Sequence, residues 1–117
     1  MAKINAKIIY EKDEDILYLS KSKIARASIE IGDFIIDIDM KGYVSAIEIL
    51  NASENLKISP KILENIERAS MSVVYKPHYI YVTVIFRLRE REKDISIPLT
   101  IDLGHKKTQK EEIVFVR

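Results

Sequence analysis

No cysteine occurs among the 117 residues, which removes disulfides, thiolate metal sites and thiol nucleophiles together. An excess of charge is missing too. The formal net charge is +1, so nucleic acid or an anionic membrane would have to be met by a local patch. No apolar run approaches membrane-spanning length, and the opening Met1-Ala-Lys-Ile-Asn5 lacks a hydrophobic signal segment. A cytoplasmic location is therefore expected. Histidine is scarce: His78 follows Pro77 in a tight turn, and His105 stands beside Gly104 in a basic tail. No Ser-His-Asp spacing, phosphate-cradling glycine loop or paired His ligands can be assembled, and no catalytic residue is assigned.

What is present describes a folded globule. Hydrophobic residues make up 47% and charged residues 32%, and the length suits one domain over 1–117 with a self-sufficient core. Abundant Ile, Lys and Glu without Cys is compatible with a thermophilic source.

The strongest local signal is a hairpin. Phe34 to Ile38 and Tyr43 to Leu50 are β-branched and aromatic runs separated by Asp39-Met-Lys-Gly42, with Asp to start the turn and Gly to supply positive φ. Pairing Ile38 with Tyr43 would gather Phe34, Ile36, Ile38, Tyr43, Ile47 and Ile49 on one face. Asp37, Val44, Ala46 and Glu48 would fall on the other. The string Asp37-x-Asp39-x-Lys41-Gly42-x-Val44-x-x-x-Glu48 also fits the spacing of a calcium loop, making Asp37, Asp39 and Glu48 the candidate metal ligands for a divalent cation. Against that, both flanks are strand-patterned, and Lys41 brings a cation where an oxygen is needed. The turn reading prevails, and no cofactor is expected. If carboxylates alone carried catalysis, the same three acids would be the best candidates among many solvating ones.

Upstream, Lys7 to Tyr10 and Ile16 to Leu19 read as strands around the acidic turn Glu11-Lys-Asp-Glu-Asp15, and Ala25 to Ile31 as a third strand. Residues 7–53 are thus expected to form a meander of about five antiparallel strands. Three of its motifs are Ile9-Tyr-Glu-Lys-Asp-Glu-Asp-Ile-Leu-Tyr-Leu19, Gly32 with Ile35-Ile-Asp37-x-Asp39-x-x-Gly42, and Ile47-Glu-Ile-Leu-Asn-Ala-Ser53. In order and spacing this segment resembles the domain of unknown function 2283, a family of small prokaryotic proteins. The resemblance implies a β-meander and supplies no catalytic residue. Members commonly carry an acid where Lys41 stands, which weakens a metal site further, and a Gly where Ala46 stands. Such domains are encoded beside small toxin-like proteins, so the resemblance also implies an antitoxin-like role with a protein partner.

Downstream, Ser59-Pro60 opens an expected helix over 59–69, with Ser as N-cap, Ile58 stapled to Leu63, and Ile62, Leu63, Ile66 and Ala69 as its apolar stripe. A second strand group spans 71–100. Met71 to Tyr75 leads to Tyr79 to Leu88, the longest β signal, with apolar atoms on both faces. Ile95, Ile97 and Leu99 follow, with Pro98 suggesting an edge. The tail, 101–117, is polar until the terminal run Ile113-Val-Phe-Val116, expected to pair as a last strand. The expected fold class is α+β: a mostly antiparallel sheet of about eight strands with one principal helix packed on it.

Two functions compete. Tyr79, Tyr81, Arg87 and Arg89 on one sheet face, with Lys106, Lys107 and Lys110, could stack on bases and neutralise phosphates. Glu90, Glu92, Glu111 and Glu112 dilute that charge. The favoured expectation is a non-enzymatic module that self-associates as a homodimer, with Tyr79, Tyr81, Ile85 and Phe115 at the interface.

Overall fold

The computed structural model describes residues 6–21, 24–77, 79–87, 92–99 and 109–116. Nine strands and two short helices follow one another as β1 (Lys7–Glu11), β2 (Ile16–Ser20), β3 (Ala25–Ile31), β4 (Phe34–Asp39), β5 (Val44–Ile49), α1 (Ala52–Leu56), α2 (Pro60–Leu63), β6 (Arg68–Tyr75), β7 (Ile80–Arg87), β8 (Glu92–Leu99) and β9 (Gln109–Val116). All nine strands belong to one curled sheet in the order β3-β4-β5-β2-β1-β9-β6-β7-β8. Every pairing is antiparallel except a short parallel contact between β1 and β9, at Lys7 opposite Val116.

Period-two patterning explains the core. Apolar side chains alternate along each strand, so one face of the curled sheet gathers them. Leu17, Leu19, Ile36, Ile38, Ile47 and Ile49 from the first five strands join Met71, Val73, Tyr75, Val82, Val84, Phe86, Ile113 and Phe115 from the later ones in a single buried cluster. Leu56, Ile58, Leu63 and Ile66 on and beside the helices belong to the same cluster.

Three sequence expectations are corrected. The first five strands are not a simple meander, because β2 pairs with β5 rather than β3. That pairing sets Leu17 opposite Ile49 and Leu19 opposite Ile47, all four essentially fully buried. Burial therefore favours β5 as the inner neighbour. β3, with Ala25, Arg26, Ser28 and Glu30, is left at the edge.

The hairpin register is also offset. Ile36 opposes Ile47 and Phe34 opposes Ile49, but Ile38 opposes Val44, and the shift between them leaves Ser45 as the extra residue of a β-bulge. Val44, not Tyr43, is consequently the buried member beside Ile38, and Tyr43 packs at the margin of the core.

No principal helix covers 59–69. Ser59 caps as expected, its hydroxyl accepting from the Ile62 N–H, with Pro60 at the first helical position. The helix α2 ends after one turn. The Asn65 and Ile66 N–H groups bond back only three residues, to Ile62 and Leu63, while the Asn65 amide donates to the Lys61 carbonyl. Ile66 and Ala69 fit a helical period, but Ala69, Met71, Val73 and Tyr75 alternate without a break, and β6 claims Ala69. Ile62 is accordingly exposed rather than part of a stripe.

The β3–β4 turn shows how local chemistry fixes register. Gly32 has φ +57° at the first central position of a two-residue turn between Ile31 and Phe34, the position where a II′ turn reserves positive φ for glycine. An added Cβ would meet nothing within 4 Å, so the cost of substitution is conformational. Gly32→Ala is expected to lower unfolding stability by about 1 kcal/mol in a urea titration, with an unchanged slope.

Candidate functional site

The bulge at Ser45 takes the Val44 backbone out of the regular ladder, and side chains from both halves of the chain satisfy it. The Val44 N–H donates to the Tyr75 hydroxyl at 2.8 Å, and the Val44 carbonyl accepts from Lys21 Nζ at 2.9 Å. The Tyr75 hydroxyl in turn donates to Glu111 Oε1 at 2.9 Å, and Lys21 Nζ pairs with Glu111 Oε2 at 2.8 Å. The Lys21 N–H adds a bond to the Ser45 carbonyl. Lys21 is 5% exposed and Tyr75 fully buried, so this is an interior network. The Tyr43 ring stands edge-on to Tyr75, centroids 5.2 Å apart. Burial, reinforced by the Glu111 carboxylate against the opposing Val44 N–H, holds the Tyr75 hydroxyl well above the ordinary tyrosine range and keeps it protonated.

A buried lysine beside a tyrosine and a carboxylate has the ingredients of acid–base chemistry. Here each group is committed to another part of the same chain. Lys21 begins the crossing from β2 to β3, Val44 and Ser45 form the bulge, Tyr75 ends β6 and Glu111 lies in β9. The network therefore clasps the first five strands to the last four.

A second polar cluster fastens the other end of the first five strands. Asp15, at φ +55°, closes the β1–β2 turn. Its Oδ1 accepts from the Tyr10 hydroxyl at 2.6 Å and the Ser53 N–H at 3.0 Å, and its Oδ2 accepts from the Ser53 hydroxyl at 2.7 Å. Its own carbonyl accepts from the Ala52 N–H. Burial opposes the ionised form, but the hydrogen bonds from Tyr10 and Ser53 outweigh it and hold the Asp15 carboxyl below the usual carboxylate value. The same pairing, added to burial, raises the Tyr10 hydroxyl beyond its ordinary range. Alongside, Asp33 Oδ2 accepts from Asn51 and Asn55.

The residues singled out from the sequence are not brought into one site. Asp39 Oδ1 accepts from the Lys41 and Tyr43 N–H groups and makes the turn. Asp37 accepts from the Ser28 hydroxyl across the β3–β4 ladder. Glu48 is bonded to Tyr18 and raises that hydroxyl, with burial adding to the effect. Among the described residues no three His, Asp or Glu side chains gather as metal ligands. Tyr79 and Tyr81 lie on the outer face and pack edge-on against each other at 5.0 Å, with Lys76 Nζ over the Tyr79 ring. Ile85 is half-buried on the same face. Phe115 is not with them: it is fully buried on the inner face, because Ile113 and Phe115 point into the core while Val114 and Val116 point out. Arg87 lies in register between Arg68 and Glu92. His78, Leu88, Arg89, Glu90, His105, Lys106 and Lys107 lie outside the described residues.

Sequence reasoning missed the clasp. Two signals for it existed: Tyr75 completes an inward alternation, so its hydroxyl needs a buried partner. Glu111 shares the parity of Ile113 and Phe115, which sets an acid on an apolar face in need of a cation. Nothing near Lys21 marks it.

The geometry defines a curled, nearly all-antiparallel β protein with two internal polar fasteners. Residues 7–53 match the family described as "Protein of unknown function (DUF2283)", the segment from β1 to the start of α1. No curated protein and no solved structure matches the chain. Among the described residues no helix is long and apolar enough to cross a membrane.

Two outcomes are expected. Lys21→Met strands the Glu111 carboxylate beside apolar atoms and should lower unfolding stability by about 2–4 kcal/mol, read by chemical denaturation. Asp15 has a depressed carboxyl, so its stabilisation is fully present above the ordinary carboxylate range and is lost as pH falls through its lowered value. Asn tolerates the same positive φ, so Asp15→Asn should destabilise the protein at neutral pH and flatten its loss of stability on acidification. A variant with the wild-type acid limb would count against this assignment.

Proposed function

We propose that the protein is a non-enzymatic interaction module that acts as a self-associated pair of chains. One observation carries the reading. The inner, core-forming face of the sheet stays open at its β3 end, where Ala27 is exposed, Ile31 is 39% exposed, and Ile29 and Phe34 are only partly covered. An open apolar margin on an edge strand favours a partner. The groups best suited to chemistry support the same view from the other side, since Lys21, Tyr75, Glu111 and Asp15 are engaged in holding strands together.

The outer face with Tyr79, Tyr81 and Ile85 offers a weaker surface. Tyr81 is 48% exposed, but its ring already packs on Tyr79. Native mass spectrometry or light scattering on the full chain tests the reading. Twice the 13.5 kDa chain mass is expected at micromolar concentration. A single-chain mass throughout that range would sink it.

A further inference from the structure

We propose that the outer edge of β3, unpaired among the described residues, pairs antiparallel with the same edge of a second copy, about a two-fold axis at Ser28. The proposal rests on the self-association reading above and names its surface.

β3 is one of the two ends of the sheet. Its two-residue turn into β4 makes Ile31 and Phe34 the closing hydrogen-bonded pair, and Ile29 and Ala27 follow opposite Ile36 and Ile38. Those odd-numbered residues direct their backbone groups to β4. Ser28 and Glu30 therefore direct theirs away from the sheet, where a further strand would receive them.

The strand reads Ala25-Arg-Ala-Ser-Ile-Glu-Ile31, and its charges are arranged symmetrically about Ser28. With Ser28 opposite its own copy, Arg26 stands across from Glu30 of the copy, and symmetry repeats the pair. Ala27 meets Ile29, small against large, which extends cover over the half-open inner face. Both Arg26 and Glu30 are exposed, and among the described residues neither forms an ion pair within its own chain. Sliding the copies four residues either way sets Arg26 against Arg26 or Glu30 against Glu30, which like-charge repulsion disfavours. The register is thus selected by charge.

Three features confine the pairing to a dimer. The contact is isologous, so it closes on itself instead of propagating. The bulge at Arg26, between Ala25 and Ala27, ends the regular ladder and keeps the edge short. At the opposite end of the sheet, β8 contains Pro98, which has no N–H to give a ladder.

Sedimentation equilibrium of the full chain tests this with four variants. Arg26→Glu and Glu30→Arg each replace two attractive contacts by two repulsive ones. Each should weaken the dimer about tenfold or more, while the charge-swapped double variant Arg26→Glu/Glu30→Arg should restore it. Both positions of change lie on the surface, so the circular dichroism of these variants should match wild type. Tyr81→Glu should leave the dimer intact. A monomeric wild type would overturn both this pairing and the self-association reading. A wild-type dimer indifferent to the single charge reversals, or a double variant that fails to recover, would overturn the β3 pairing alone. Loss of the dimer in Tyr81→Glu with no effect at β3 would move the interface to the outer face.

Discussion

The joint between the first five strands and the last four is the constraint on which the remaining structure depends. Among the described residues their backbones meet in sheet order at one parallel pair, Lys7 with Val116, supplemented by a 3.4 Å bond from the Val116 N–H to the Ala6 carbonyl. So little ladder would not hold two half-sheets in one curvature. What does is burial of both inner faces against each other, with the Lys21–Glu111–Tyr75 network closing one end of the seam. An ion pair in such a place adds geometric selectivity more than net energy, since desolvation offsets much of the attraction. Its bonds to Val44 require the bulge, so a local irregularity in one hairpin sets where the far half docks.

The segment that matches a family acquires a physical reading. Tyr10, Asp15, Ala52 and Ser53 come together at one fastening point, and Asp33, Asn51 and Asn55 at another. The acidic turn and the Asn-Ala-Ser run lie far apart along the chain and touch in space. Their polar character serves turn closure and the start of α1, in the way that Asp and Asn side chains commonly satisfy backbone groups.

Local patterns were legible in the sequence, and pairings between distant residues were not. Alternation located the strands because a half-buried sheet imposes period two on side chains, and Asp39 with Gly42 marked a turn the structure contains. The helix at 59–69 was overread because Ile62, Leu63, Ile66 and Ala69 satisfy a helical period, while Ala69 to Tyr75 satisfies a strand period with more terms. Strand order was misread because adjacency was inferred from sequence, whereas β2 takes β5 to bury Leu17 and Leu19 completely. Lys21 and Glu111 stand 90 residues apart, and no local pattern links a lysine in a connection to a glutamate in a charged run. The Ser45 bulge shifted Val44 inward by one position, the kind of slip that face patterns alone do not reveal.

The place of β9 has a consequence for how the chain reaches this state. The ninth strand in sequence is the sixth across the sheet counted from β3, flanked by β1 on one side and β6 on the other. Until it arrives, β1 and β6 each have a bare flank, Lys21 has no carboxylate, and the inner face lacks Ile113 and Phe115. Sheet closure is therefore a late, non-local event, a topology that folds slowly and leaves apolar surface transiently uncovered. A nascent chain emerging from a ribosome would carry both halves as unfinished pieces, and the last strand described would act as the keystone that joins them.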